Sequence, residues 1–363
     1  MFLVSEKSLS KQVSQIGIMF LKYFGFRSSK HTNSSQRQYP TVIEELCHHF
    51  SPADLRKLTN NFAKDRVIGK GAFSTAYKGY IQNNDASDYT VVIKRWRKES
   101  RGQRQMWKNE IELLCQLRHP NLVSLVGFCE IEMSSVYEYM SNGSLDQHLR
   151  GGVREALSWK KRLEICIGAA RGLHYLHAGA KRTILHRDIK PSNILLDDAM
   201  EPKLAGFSLV LQGQHFRSKP KPIQVDVAGT MYYIAVEYFR DQTITDKCDV
   251  YSFGMVLLQV VSGMKYLNML TDRLSGESPA PVKPVEEIID SNIKGKIAPE
   301  CWEVFMDVTQ RCLNHEPDER PTMGEVEVQL EHALSLQEQA DIKKDSGDFI
   351  LSSTTIINPY ESI

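Results

Sequence analysis

Two rhythms of apolar and polar positions divide the chain. Between residues 66 and 96 the apolar residues come in short runs, RVIGKGAFSTAYKGYI and YTVVIKRW, separated by the polar turn NNDASD, which predicts a pair of antiparallel strands. QRQMWKNEIELLCQL then spaces Trp107, Ile111, Leu114 and Leu117 three or four apart, predicting an amphipathic helix with Glu110 one position before an apolar residue. SSVYEYM returns to strand character and ends on the turn residues SNG. Helical spacing dominates afterwards, in SWKKRLEICIGAARGLHYLHAG, TDKCDVYSFGMVLLQVVSG, PECWEVFMDVTQRCLNH and MGEVEVQLEHALSLQEQ. Upstream, FSPADLRKLTNNF begins with Ser51, Pro52 and Asp54, the signals of a helix start, and carries Leu55, Leu58 and Phe62 at helical spacing. A strand-rich stretch followed by a helix-rich one predicts an α+β fold with two lobes rather than an alternating parallel sheet.

Composition narrows the function. With 363 residues, 42% of them hydrophobic, the chain has ample material for a large two-lobed core. Forty-five basic residues nearly cancel 44 acidic ones, so no basic field points to nucleic acid. The seven cysteines lack CxxC spacing and sit mostly in apolar runs such as ELLCQL and LEICIG, which suits buried thiols in a reducing compartment better than a disulfide framework or a zinc site. The run IGIMFLKYFGF is broken by a lysine and falls short of the ~18 to 20 apolar residues of a membrane span. FGFRSSKHTNSS does not follow it as a signal-peptide cleavage region would, and Phe2 stands where myristoylation requires glycine. A cytoplasmic protein is expected. Residues 1–45 read as a loosely ordered leader, with a short interfacial helix over 16–26 as the alternative, and 336–363 read as a disordered polar tail.

Residues capable of chemistry occur in a particular order. Gly69 and Gly71 lie in a strand-turn-strand, followed by Lys94 in VVIK, Glu110, HRDIKPSN at 186–193, AVEY from 235, DVYSFG from 249 and Arg320 before Pro321. Taken singly, lysines end strands and glutamates face solvent far more often than they react. In this order the set resembles the eukaryotic protein-kinase domain from about 63 to 335. TNNF, RHPNLVSLVGFC, VYEYMSNGSLDQHL, DIKPSNILLDD and DKCDVYSFGMVLL resemble plant receptor-like kinases, and EYFRDQTITDK and IIDSNIKGKI are similar to the FERONIA-like group. Receptors of that group carry an ectodomain and a span, so the chain resembles a receptor-like cytoplasmic member.

The resemblance implies a bilobal fold: a helix within 46–62, an N-lobe and hinge over 63–140 and a C-lobe over 141–335. It implies that Gly69 and Gly71 cover the phosphates of ATP, that Lys94 contacts them while paired with Glu110, and that the backbone of Glu138 and Met140 meets adenine, with Tyr137 behind. Asp188 is implied as the base, Lys190 as the companion typical of serine/threonine kinases, and Asn193 as a metal ligand. Glu237 is expected to pair with Arg320, and Asp249 to brace the catalytic loop.

Departures from the pattern are equally specific. PKLAGFSLVL puts Gly206 where the family has the magnesium-binding aspartate, keeps Phe207, and puts Ser208 where the family has glycine. Glycine offers no side-chain oxygen to a hard cation. Asp197 and Asp198 are expected in a turn between two strands, away from the phosphates. Ser74 replaces the third glycine of the loop, Ala76 the usual valine, Tyr232 a glycine and Val236 a proline of the activation segment; Gln259 replaces a glutamate, and 264–285 reads as short and irregular. The expectation is a catalytically impaired serine/threonine kinase domain, a pseudokinase acting as an adaptor or a nucleotide-binding switch, with a slow but genuine ATP-dependent kinase as the alternative. Magnesium is expected to bind weakly or not at all. Active receptor-like kinases or other signalling proteins are the implied partners, at the inner face of the plasma membrane if the chain associates with it, and Ser208, Thr230 and Tyr233 are candidate phosphate acceptors.

Overall fold

The computed structural model describes residues 47–81, 89–98, 101–151, 154–215, 222–275, 284–343, 347–351, 355 and 357; the leader over 1–45 lies outside them. β1 (His48–His49) precedes α1 (Pro52–Leu58), which starts where its signals require. The Ser51 hydroxyl accepts from the Asp54 amide at 3.2 Å, and the Asp54 carboxylate accepts from the Ser51 amide at 2.8 Å, a reciprocal cap. The helix stops at Leu58, earlier than the spacing of Phe62 suggested, because Asn60, Asn61 and Phe62 all take positive φ.

β2 (Val67–Lys70), β3 (Ser74–Ile81), β4 (Tyr89–Trp96), β5 (Leu125–Cys129) and β6 (Ser134–Glu138) join β1 in a six-stranded sheet of order β1-β5-β6-β4-β3-β2. Strand periodicity divides β4 between two faces. Val91 and Ile93 point to a small core under α1 with Phe50, Leu55 and Val136, whereas Val92 and Trp96 face the main core beside α2 (Arg101–Leu114). Lys94 shares the parity of Val92 and Trp96, so it is aimed at α2. On α2 the buried positions Trp107, Glu110, Ile111 and Leu114 recur at helical spacing, placing Glu110 within the stripe that faces the sheet.

β1 was not anticipated from the sequence. It runs parallel to β5, pairing His48 with Gly127 and His49 with Phe128, and the Phe50 amide donates to the Phe128 carbonyl at 2.8 Å. Gly127 makes the approach feasible: a β-carbon there would stand 2.2 Å from the His48 carbonyl oxygen.

The second lobe contains α3 (Leu145–Leu149), α4 (Trp159–His174), β7 (Arg182–Leu185), β8 (Ile194–Leu196), β9 (Pro202–Leu204), β10 (Leu211–His215), β11 (Ile223–Gln224), α5 (Val236–Asp241), β12 (Thr243–Ile244), α6 (Asp246–Ser262), α7 (Lys265–Ser275), α8 (Pro299–Cys312) and α9 (Met323–Lys343). Every residue of α6 from Cys248 to Ser262 is buried. Arg162 of α4, fully buried, donates to the Leu157 and Val260 carbonyls and to Asp290, joining α4 to the end of α6. All seven cysteines are buried free thiols. Among the described residues no single helix is long and apolar enough to cross a membrane.

Two expectations need correction. Residues 265–275 form a regular helix, not an irregular connection. The tail expected to be disordered from 336 is ordered wherever it is described. α9 continues to Lys343 because Leu330, Ala333 and Gln337 stay buried, and Gln337 accepts from the Ala298 amide at 2.9 Å. Beyond it the Phe349 amide donates to the Gly295 carbonyl and the Val285 amide to the Thr355 carbonyl, each at 2.9 Å, and Ile357 is buried. These backbone hydrogen bonds to the C-lobe have no side-chain signature in the sequence.

Gly127→Ala is expected to detach β1 from β5, since the opposing atom is backbone and cannot swing away, costing about 1–3 kcal/mol of unfolding free energy. Denaturant unfolding of the two chains checks this.

Candidate active site

The strand and helix faces just described bring Lys94 and Glu110 together. Lys94 Nζ donates to Glu110 Oε1 at 3.0 Å and Oε2 at 2.9 Å, and it lies 4.6 Å from the centre of the Trp96 ring. Glu110 is 2% exposed, so its charge depends on donors. Tyr137 of β6 supplies one, its hydroxyl 2.5 Å from Glu110 Oε1; burial first, then the neighbouring carboxylate, pushes that phenol well above its ordinary pKa. Tyr137 thus lies against the Lys94–Glu110 pair. Glu138 accepts from the Ser124 amide at 2.7 Å and from Lys203 at 3.1 Å, leaving its side chain structural, and Met140 follows with its carbonyl accepting from Gly143.

The glycine turn joins β2 to β3, with the Gly71 amide donating to the Ser74 carbonyl at 2.8 Å. Added β-carbons at Gly69 and Gly71 would come no closer than 3.6 Å to another atom, so the turn's own packing does not demand glycine, and the open space suits a closely approaching phosphate.

Asp249 of α6 organises the catalytic loop. Its carboxylate accepts from the His186 and Arg187 amides, both at 2.8 Å, and lies 3.0 Å from His177 Nε2. Arg187 pays for this turn with a φ of +69°, a strained value for a side-chain-bearing residue. Asp188, Lys190 and Asn193 are brought together: Lys190 Nζ is 2.8 Å from Asp188 Oδ2, and Asn193 Nδ2 donates to the Asp188 carbonyl at 2.7 Å and to Oδ2 at 2.9 Å. Thr230 was missed as a member of this group. Its hydroxyl accepts from Lys190 at 2.6 Å and donates to Asp188 Oδ1 at 2.7 Å. Burial raises the Asp188 carboxyl, but the Lys190 and Thr230 hydrogen bonds more than offset it and hold the group below the usual carboxylate range.

Gly206 has a φ of +84° and opens the short 3-10 turn Phe207–Leu209. A β-carbon at 206 would lie 2.6 Å from Asn193 Cγ and Nδ2 and 2.7 Å from its Oδ1. The Asn193 amide therefore stands where a β-carbon at 206 would go. Asp197 and Asp198 do lie between β8 and β9, and Asp197 Oδ1 accepts from the Ala199 and Glu201 amides, so it closes a turn. No group of three or more His, Cys, Asp or Glu suited to a metal ion occurs among the described residues. ATP fits the residues present: open glycine turn, hinge and cationic Lys94. For magnesium, Gly206 supplies no oxygen where the family has an aspartate, which leaves the Asn193 side-chain oxygen as the one ligand of that pattern.

The activation segment keeps its supports. Arg320, 2% exposed, forks onto Glu237 with contacts of 2.6 and 2.9 Å. Val236 begins α5, a position whose N–H has no intrahelical partner anyway, so the helix forms without proline. Ser208, Thr230 and Tyr233 do not stand free as phosphate acceptors: Ser208 contacts Lys94 and Glu110, Thr230 bridges Lys190 and Asp188, and the Tyr233 hydroxyl is bound to Gln259. The contact made by Ser208 had no sequence signal beyond the replacement of a glycine.

This geometry is that of a bilobal protein-kinase domain, and the family model for protein tyrosine and serine/threonine kinases matches residues 62–330, so the chain belongs to that family. Within it the chain falls among the FERONIA-like receptor-like kinases of plants. It is 45% identical over 322 residues to the receptor-like protein kinase ANXUR2, 42% over 321 to FERONIA and 40% over 303 to THESEUS 1, all of Arabidopsis thaliana. These matches cover 86%, 86% and 81% of this chain but 37%, 35% and 35% of the relatives, so the chain spans about a third of their length.

A pH dependence follows from the loop. Burial raises Asp249, but His177 and the loop amides outweigh it and lower the carboxyl below its ordinary value. Burial lowers His186 from the usual imidazole value. Both folded-state pKa values lie below the unfolded ones, so the associated stability is present above the unfolded pKa and lost as pH falls through the folded one. Unfolding free energy should decline below about pH 6.5 as the unfolded chain protonates its histidine, and more steeply below about pH 4. Asp249→Asn should flatten the lower limb and cost about 3 kcal/mol at pH 7, measured by denaturant titration across pH.

Proposed function

We propose that the chain is a pseudokinase: a receptor-like serine/threonine kinase domain that retains a nucleotide cleft and signals by shape rather than by phosphoryl transfer. One observation carries this reading. Gly206 provides no carboxylate, and a β-carbon there would meet the Asn193 amide at 2.6 Å. Losing a preorganised electrostatic group in a closed site costs about 100- to 1,000-fold in rate, and a metal bridging two phosphates contributes no less. Lys94, Glu110, Asp188 and Lys190 then serve to bind and shape. ATP is the ligand of the cleft, held without magnesium, and the partners are active receptor-like kinases or other signalling proteins in the cytoplasm, at the inner face of the plasma membrane where the chain associates with it.

A second reading, a slow ATP-dependent kinase, draws on the intact geometry of Asp188 with Lys190 and Asn193. Radiolabelled phosphate transfer with magnesium or manganese separates the two. Transfer is expected to be indistinguishable from that of Asp188→Ala; robust transfer abolished by that substitution would establish the slow kinase instead. ATP is further expected to raise the melting temperature equally in magnesium and in EDTA. A shift seen only with magnesium would defeat metal-free binding.

A further inference from the structure

Lys94 carries three N–H donors, and each has an acceptor within the protein: Glu110 Oε1 at 3.0 Å, Glu110 Oε2 at 2.9 Å and Ser208 Oγ at 3.0 Å. Ser208 sends its own proton toward Glu110 Oε2 at 3.4 Å. The hydroxyl is held in place by its neighbours. Phe207, 1% exposed, anchors the 3-10 turn with its ring 5.0 Å from that of His186, and Gly206 sets the turn's entry angle. Glycine or alanine at 208 would place no oxygen there.

We propose that Ser208 is a built-in stand-in for a nucleotide phosphate: it takes the third donor of Lys94 and so ties β4, α2 and the activation segment together when the cleft is empty. The proposal deepens the pseudokinase reading and rests on the cleft's retaining a nucleotide. Ser208 is a positioning residue in this role, acting through Lys94 and Glu110.

The sign of its effect on ligand binding follows from linkage. A phosphate that reaches Lys94 must displace the Ser208 hydroxyl, so the contact exists only in the nucleotide-free protein. Whatever free energy it contributes there is subtracted from nucleotide binding, because a ligand gains only from its preference for one state over the other. Removing the hydroxyl should therefore have two opposite consequences: α2 loosens in the free protein, yet nucleotide binds more tightly. A merely structural serine would give loosening together with weaker binding.

The test uses the full chain with Ser208→Ala, and Ser208→Thr as the variant that keeps the hydroxyl. Amide hydrogen exchange over 101–114 is followed without nucleotide, and affinity for a fluorescent ATP analogue is measured in EDTA. Ser208→Ala is expected to exchange several-fold faster in α2 and to bind the analogue about three- to tenfold more tightly, the range for an ordinary intramolecular hydrogen bond, while Ser208→Thr matches the parent. Unchanged exchange in α2, or an affinity that is unchanged or lower in Ser208→Ala, overturns the proposal. Phosphoryl transfer by the parent chain would instead defeat the catalytic silence proposed above and leave both readouts intact, so the two failures are distinguishable.

Discussion

A carboxylate with 2% of its surface exposed cannot remain charged unless donors surround it, and Glu110 is such a group. Its donors come from three separated parts of the chain: Lys94 on the central strand of the sheet, Tyr137 on the strand entering the hinge, and Ser208 in the activation segment. Satisfying that one charge fixes where α2 lies against the sheet and where the activation segment starts. The apolar stripe of α2 sets the approach, since Trp107, Ile111 and Leu114 bury beside the same strands. Packing brings the helix in, and the carboxylate selects its register.

The same logic holds lower in the molecule. Asp249, 1% exposed, gathers two loop amides and His177, and Glu237 satisfies the buried Arg320. Removing a partner from any of these would strand a buried charge, at a cost well above that of a surface ion pair. These groups brace the fold whether or not chemistry occurs, which accounts for a scaffold kept nearly whole around a cleft without its metal-binding carboxylate.

Much of this could be anticipated residue by residue. Helix caps such as Ser51 with Asp54 are local, so the sequence exposes them. Lys94, Glu110, Asp188 and Asn193 were found because their order and flanking residues resemble a family, not because spacing alone reveals a site. What stayed hidden depends on distant partners. β1 exists because Gly127, about eighty residues later, leaves space for a backbone. The placement of Phe349 and Thr355 depends on carbonyl and amide groups of the C-lobe that no side-chain pattern advertises. Ser208 and Thr230 read as exposed hydroxyls until their partners, 114 and 42 positions away, are seen beside them.

The loss at 206 is also deeper than one residue. An aspartate returned to that position would meet a backbone already in the left-handed region, which aspartate tolerates better than most, so the main chain is no great obstacle. The obstacle is Asn193, whose amide lies 2.6 Å from the new β-carbon and would have to withdraw from Asp188. Being the end of a side chain it can move, but two hydrogen bonds near a buried carboxylate are each worth about 1–3 kcal/mol. Lys94 would still be engaged by Ser208. Asn193, bonded to Asp188, and Ser208, bonded to Lys94, would both have to rearrange before an aspartate at 206 could face a nucleotide held by Lys94.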